Sequence, residues 1–172
     1  MKLPTRKKNR LSNYDYNSIG VYFITICTTD RKCIFWKDYH FSTDAVSGNS
    51  VGASIARQQE HLSSYGQVVL SAIKNIPTYY PCVNVDNYAI MPNHVHLLLS
   101  LNEAGGRAML APTISTVVAQ TKGFVTKQLG FSIWQKTFHD HIVRNQNDYD
   151  SIWQYIQDNP FKWDEDEFFI VD

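Results

Sequence analysis

Hydrophobic positions along the chain recur with two periods, and the switches between them predict seven elements. Residues 20–29 (Gly-Val-Tyr-Phe-Ile-Thr-Ile-Cys-Thr-Thr) are β-branched and aromatic, which suits a strand. Residues 61–76 carry Leu62, Tyr65, Val69, Ile73 and Ile76 at helical spacing and stop before Pro77. Residues 83–91 and 94–101 read as a strand pair with Pro92-Asn93 between them. Residues 113–129 read as a second helix, capped by Thr113 or Ser115 and stopped by Gly130. A fourth strand is predicted over 131–143, starting near Trp134. A third helix is predicted over 148–159, with Asn147 or Asp148 at its start and Pro160 at its end. The order contains βαββαβ, the ferredoxin-like pattern. It predicts an α+β sandwich with helices on one face of an antiparallel sheet, plus a C-terminal helix.

At 172 residues this is one domain by length, large enough to bury a core. Residues 1–17 read as a basic arm, 18–163 as the folded domain and 164–172 as an acidic tail. Within the domain, 42–54 is rich in Ser, Gly and small residues and reads as a mobile loop; 102–112, with Gly105-Gly106, reads as a linker. Formal net charge is zero, but it is unevenly spread. Lys2, Arg6, Lys7, Lys8 and Arg10 crowd one end; Asp164, Glu165, Asp166, Glu167 and Asp172 crowd the other. The ends offset each other and leave a local basic surface. Such an arm can track phosphates, although charge alone supports a solvated tail equally well. Ten Tyr, nine Phe and four Trp can fill a core or stack on unpaired bases. Cys27, Cys33 and Cys82 lack metal-like spacing and read as reduced thiols. No apolar run is long enough to span a membrane and no signal segment is evident, so a cytoplasmic protein without membrane contact is expected.

Two places carry candidate chemistry. On a strand, His94 and His96 point the same way while Val95, Leu97 and Leu99 point into the core. Two adjacent imidazoles on a rigid strand can share one metal ion, or can be two polar side chains on a solvated face. On the last helix, Ile152, Tyr155, Ile156 and Asn159 share a face, so Tyr155 and Asn159 stack one turn apart. A phenol able to act as nucleophile thus sits beside an amide oxygen able to ligate a metal. An amphipathic helix with a core tyrosine has the same pattern.

Taken together, His94-Val95-His96 after Met91-Pro92-Asn93, and Tyr155-Ile-Gln-Asp-Asn159-Pro160, resemble the single-tyrosine HUH transposases. The stretch 20–28 running into Arg31, and 133–144 (Ile-Trp-Gln-Lys-Thr-Phe-His-Asp-His-Ile-Val-Arg), are similar to the REP-associated branch. The resemblance spans roughly residues 10–163. It implies a metal-dependent endonuclease and strand transferase acting on single-stranded DNA that carries a hairpin, through a covalent 5′-phosphotyrosine. Tyr155 would be the nucleophile, and His94, His96 and Asn159 the ligands of Mg²⁺ or Mn²⁺. Some relatives carry Gln where this chain has Asn159, which is one methylene shorter. Relatives act as dimers that exchange the tyrosine helix or as monomers, so a monomer or homodimer is expected.

Alternatives remain open at this level. A hairpin-binding protein that does not cut would share the motifs' fold. A small zinc hydrolase would need a third strong ligand, which His139 or His141 could supply. Tyr149 is the rival nucleophile. Beyond the arm residues Arg6, Lys7, Lys8 and Arg10, the candidate DNA contacts are Arg31, Lys122 and Arg144, the arginines as bidentate phosphate ligands.

Overall fold

The computed structural model describes residues 19–37, 60–103 and 112–170; the basic arm and the 42–54 stretch lie outside them. Strands β1 (Gly20–Cys27), β2 (Val83–Ile90), β3 (His94–Leu101) and β4 (His139–Val143) form one sheet in the order β2-β3-β1-β4. Every pairing is antiparallel. Helix α1 (Ser64–Lys74) and the short α2 (Ile76–Tyr79) connect β1 to β2, and α3 (Ile114–Leu129) connects β3 to β4. Helix α4 (Gln146–Asp158) follows β4 and runs into a 3-10 segment, Asn159–Glu165. This is the ferredoxin-like βαββαβ sandwich with an added C-terminal helix.

Alternation along β1 and β3 sorts the two faces. Tyr22, Ile24, Ile26, Val95, Leu97 and Leu99 are buried on one. Helices α1 and α3 pack together and add Val69, Ile73, Ile114, Val117, Val118 and Val125. Removing each of these aliphatic side chains from water contributes about 1.5–3 kcal/mol. The opposite face, with Thr25, His94 and His96, receives α4, which packs on β2 and β3.

Local chemistry explains where the elements depart from the sequence expectation. Helix α1 starts at Ser64 because Ser63 caps it, its Oγ accepting the Gly66 N–H at 3.2 Å. Leu62 is meanwhile held in a bridge to Trp36. Gly66 has a packing reason, since a Cβ there would stand 2.4 Å from the Phe35 carbonyl oxygen. Pro77 does not end structure; it occupies the first turn of α2, where its missing N–H costs nothing. Helix α3 follows its signals, with Thr113 as N-cap and Gly130 left-handed at φ 80°.

Strand β4 is much shorter than 131–143. Residues 133–135 instead extend the end of β1: Thr29 N–H donates to Ile133 O at 2.8 Å and Gln135 N–H to Cys27 O at 3.0 Å. Ile133 and Trp134 are buried there, and the chain becomes a regular strand only at His139. Helix α4 starts two residues early because Asn145, rather than Asn147 or Asp148, caps it by accepting the Asp148 N–H at 2.9 Å. Pro160 ends the α-helix but not the helical path, which tightens into the 3-10 segment and turns back toward the sheet.

Candidate active site

β3 places His94 and His96 side by side, with Cys27 and Thr25 of β1 as their register partners. The two histidines are 0% and 1% exposed, so they are not the solvated pair that the sequence left open as one alternative; their face is roofed over. The roof is the segment after Pro160. Phe168 lies 4.7 Å from the His94 ring centroid, and Trp163 lies 6.1 Å from it.

Hydrogen bonds fix which nitrogens are bare. The Asn93 amide donates to Phe168 O at 2.8 Å, which turns its Oδ1 to His94 Nδ1, also at 2.8 Å. His94 Nδ1 therefore carries the proton and donates, leaving Nε2 a bare acceptor. His96 Nε2 faces an amide N–H of Asn159 at 3.4 Å, and its Nδ1 stands 2.9 Å from Thr25 Oγ1. That assignment leaves His96 Nε2 bare as well, with Nδ1–H donating to Thr25. The two Nε2 atoms are 2.9 Å apart.

Tyr155 projects from α4 with its hydroxyl 3.5 Å from His96 Nε2 and its ring against Phe23 and His96. It is 41% exposed, the least covered member of the group. Asn159, one turn on, is buried, and its Oδ1 has no partner. Asp166 completes the group. Its Oδ2 stands 3.5 Å from the Tyr155 hydroxyl and 3.9 Å from His94 Nε2, while its Oδ1 accepts the Phe168 N–H at 2.7 Å.

Burial governs the protonation states. It drives His94 well below the ordinary imidazole range, with His96 and Arg31 adding to the effect, and takes His96 to about 3. Both rings are neutral at physiological pH. Burial, then the Asp166 charge, pushes Tyr155 up to about 12, and burial raises Asp166. A cation among these atoms would oppose both upward shifts. The donor set fits a divalent metal: donor atoms of His94, His96 and Asp166 lie within 4.8 Å of one another, and the Asn159 amide, its oxygen without a partner, borders them through its nitrogen, 3.4 Å from His96 Nε2.

The rival nucleophile is elsewhere. Tyr149 donates to Asp86 Oδ2 at 3.4 Å, an atom that Ser100 also engages. The histidines of β4 supply no third ligand: His141 Nε2 pairs with Asp148 at 2.9 Å, and His139 is exposed beside Phe168. Arg31 follows β1 in a left-handed conformation (φ 54°), exposed, with its guanidinium 5.0 Å from the Phe168 ring. Arg144 is exposed at the end of β4. Lys122 is turned onto the protein, Nζ donating to Gln135 O at 2.6 Å, where it ties α3 to the chain before β4. Arg6, Lys7, Lys8 and Arg10 lie outside the described residues.

Sequence reasoning missed Asp166, Asn93 and Thr25. Asn93 is adjacent to His94 and was legible as a tautomer-setting neighbour. Thr25 needs the β1–β3 register, and Asp166 needs the reversal of the chain after Pro160.

No family model matches the chain. It is 31% identical over 185 residues to an uncharacterized protein of Haemophilus influenzae, across 96% of this chain and 93% of that one. It is 26% identical to a protein of the same organism named as a REP-associated tyrosine transposase, across 88% of this chain and 77% of that one. A solved structure of a REP-associated tyrosine transposase bound to a REP hairpin superposes with a TM-score of 0.55, at 22% identity, over 89% of this chain and 74% of that one.

Proposed function

We propose, from the premise that this chain belongs to the family of REP-associated tyrosine transposases, that it cleaves and rejoins single-stranded DNA beside a hairpin with Tyr155 as nucleophile. The observation that supports this most is the meeting of the Tyr155 hydroxyl, the His94–His96 pair and the Asn159 side chain, whose oxygen has no partner, in one site of one chain. A divalent ion held by His94, His96 and Asn159 would draw charge from a phosphate oxygen and favour the phenolate.

The protein's own part is positioning. Phe23 and His96 fix the Tyr155 ring and aim its oxygen at the histidine pair. Asn93 and Thr25 lock the imidazoles with both bare nitrogens inward. Tyr155 Oη then forms a bond to phosphorus while the bond to the 3′ oxygen breaks. The 5′ phosphate stays on the tyrosine, and the proton lost by the phenol is balanced by the one the departing oxygen gains as it becomes a 3′-hydroxyl. Attack by a 3′-hydroxyl reverses the step, so rejoining needs no nucleotide cofactor. Because His94 and His96 are covered, a phosphate reaches them only when the Asp166–Phe168 turn moves aside.

Charge indicates the route. A groove of about 600 Å³ beside Tyr155 is walled by Asp150, Asp158 and Glu165 against Lys162, which repels a phosphate backbone. Arg31 and His139 flank the other half of the site, over β1 and β4. The strand enters there, with Arg31 and Arg144 on phosphates. The tyrosine helix is docked on its own sheet: Asn87 donates to Trp153 O at 3.2 Å and accepts from Gln157 at 3.0 Å. One chain therefore carries a whole site, and a monomer suffices.

The test is covalent trapping of 5′-overhanging hairpin DNA, end-labelled, on denaturing gels with Mn²⁺ or Mg²⁺. A labelled band at the mass of protein plus DNA is expected. Hairpin binding with no adduct under any divalent ion would favour the second reading, a hairpin-binding protein that does not cut, for which the covered histidine pair speaks.

A further inference from the structure

By sequence, residues 164–172 read as an acidic tail that offsets the basic arm, yet the Asp166 side chain is 1% exposed and lies against the histidine pair. A buried carboxylate is costly unless a positive charge or several donors face it. Its Oδ1 has a donor, the Phe168 N–H. Its Oδ2 faces the Tyr155 hydroxyl at 3.5 Å and the bare Nε2 of His94. Each imidazole turns an unprotonated Nε2 to this side, its Nδ1 being engaged by Asn93 or Thr25, so neither offers a proton here. The donors that reach Asp166, which are the Phe168 N–H, the Tyr155 hydroxyl and the Asn159 side chain, are all uncharged.

Three acceptor atoms thus meet with few protons between them: His94 Nε2, His96 Nε2 and Asp166 Oδ2 lie within 4.8 Å of one another, and the donors facing them are the Asn159 amide at 3.4 Å and the Tyr155 hydroxyl at 3.5 Å. Lone pairs 2.9 Å apart repel, and a cation converts that repulsion into attraction. Without Asp166 the donors are all uncharged.

We infer that Asp166 is a carboxylate ligand of the same ion, and that the ion staples the C-terminal turn to β3. The inference rests on the metal assignment proposed above and adds to it a ligand from outside the histidine and tyrosine motifs. Two imidazoles, a carboxylate and an amide oxygen suit a first-row divalent ion such as Mn²⁺ or Co²⁺ better than Mg²⁺, which prefers oxygen throughout.

The experiment uses the full chain without DNA and reads metal alone. Mn²⁺ affinity is measured by calorimetry, and the coordination sphere by the visible spectrum of bound Co²⁺. Asp166→Asn is nearly isosteric; Phe168→Ala loosens the roof without removing a donor. Asp166→Asn should weaken Mn²⁺ binding at least tenfold and alter the Co²⁺ spectrum. Phe168→Ala should keep the parent spectrum. Bound Mn²⁺ should slow proteolysis within 160–170 in the parent and not in Asp166→Asn. Unchanged affinity and spectrum in Asp166→Asn, with binding lost in His96→Ala, overturns this inference and spares the histidine assignment. The same spectral change in both variants would mean Asp166 acts only through the roof, which also overturns it. A parent that binds neither ion overturns this inference and the metal assignment together, while adduct formation independently tests Tyr155.

Discussion

The two faces of β3 differ in what they leave unsatisfied. Val95, Leu97 and Leu99 join one buried apolar cluster with residues of α1 and α3, and that side needs nothing further. His94 and His96, one residue out of phase on the same strand, are just as buried but meet Asn93, Thr25, Asn159 and Asp166. That side ends with an amide oxygen lacking a partner and two ring nitrogens facing each other. One face is built for stability. The other holds a polar arrangement that a packed core would not choose, which is the mark of a functional site.

Substitutions on β3 should therefore separate cleanly. His94→Ala and His96→Ala should abolish covalent adduct formation, read on denaturing gels with Mn²⁺. Full adduct yield from the double variant would break the contrast. Leu97→Ala, one position away, should cost about 2–5 kcal/mol of unfolding free energy. Its folded fraction should still form adduct. Both histidine variants should lose less stability than Leu97→Ala in urea titrations without metal, because they also relieve the facing nitrogens.

Asn159→Ala sharpens the point. It should lower adduct yield without eliminating it, since water can replace one amide ligand. Metal-free stability should change by no more than about 1 kcal/mol, the lost packing being offset by removal of an unsatisfied acceptor. A loss as large as that of Leu97→Ala would mean Asn159 is a core residue.

Smaller effects lie outside both faces. Deleting residues 1–10 removes five basic side chains and should weaken DNA binding mostly at low salt, each lost phosphate contact reducing the salt slope by about 0.7. Thermal stability should be unmoved. The same affinity and slope would make the arm a passive tail. The slightest effect concerns Asp148, whose carboxyl is held below its usual range first by its hydrogen bond to His141 and then by the Arg144 N–H. A carboxylate pKa lowered on folding contributes stability above its unfolded value and loses it as pH falls through the folded value. Asp148→Asn should flatten the fall in melting temperature below about pH 4. An unchanged acid limb would show that this surface pair adds nothing.

Legibility in the sequence followed the range of the interactions. Alternation placed His94 and His96 on one face, and helical spacing stacked Tyr155 over Asn159, because both rules are local. The element order βαββαβ followed from the same local periods. Strand β4 was over-extended because Ile133 and Trp134 are apolar for a different reason, closing the end of β1. The roof was illegible. After Pro160 no period survives, and five acids suggest solvent, yet Asp166 and Phe168 return to strand residues more than seventy positions earlier.

The central claim is that Tyr155, and not Tyr149, attacks the phosphate. The direct measurement is mass spectrometry of the DNA-linked peptide after proteolysis and nuclease trimming of the trapped complex, with Tyr155→Phe as control. The account predicts a residual 5′-linked nucleotide on Tyr155 and no adduct in Tyr155→Phe, which should still bind the hairpin. A nucleotide found on Tyr149, or an adduct that persists in Tyr155→Phe, would contradict it.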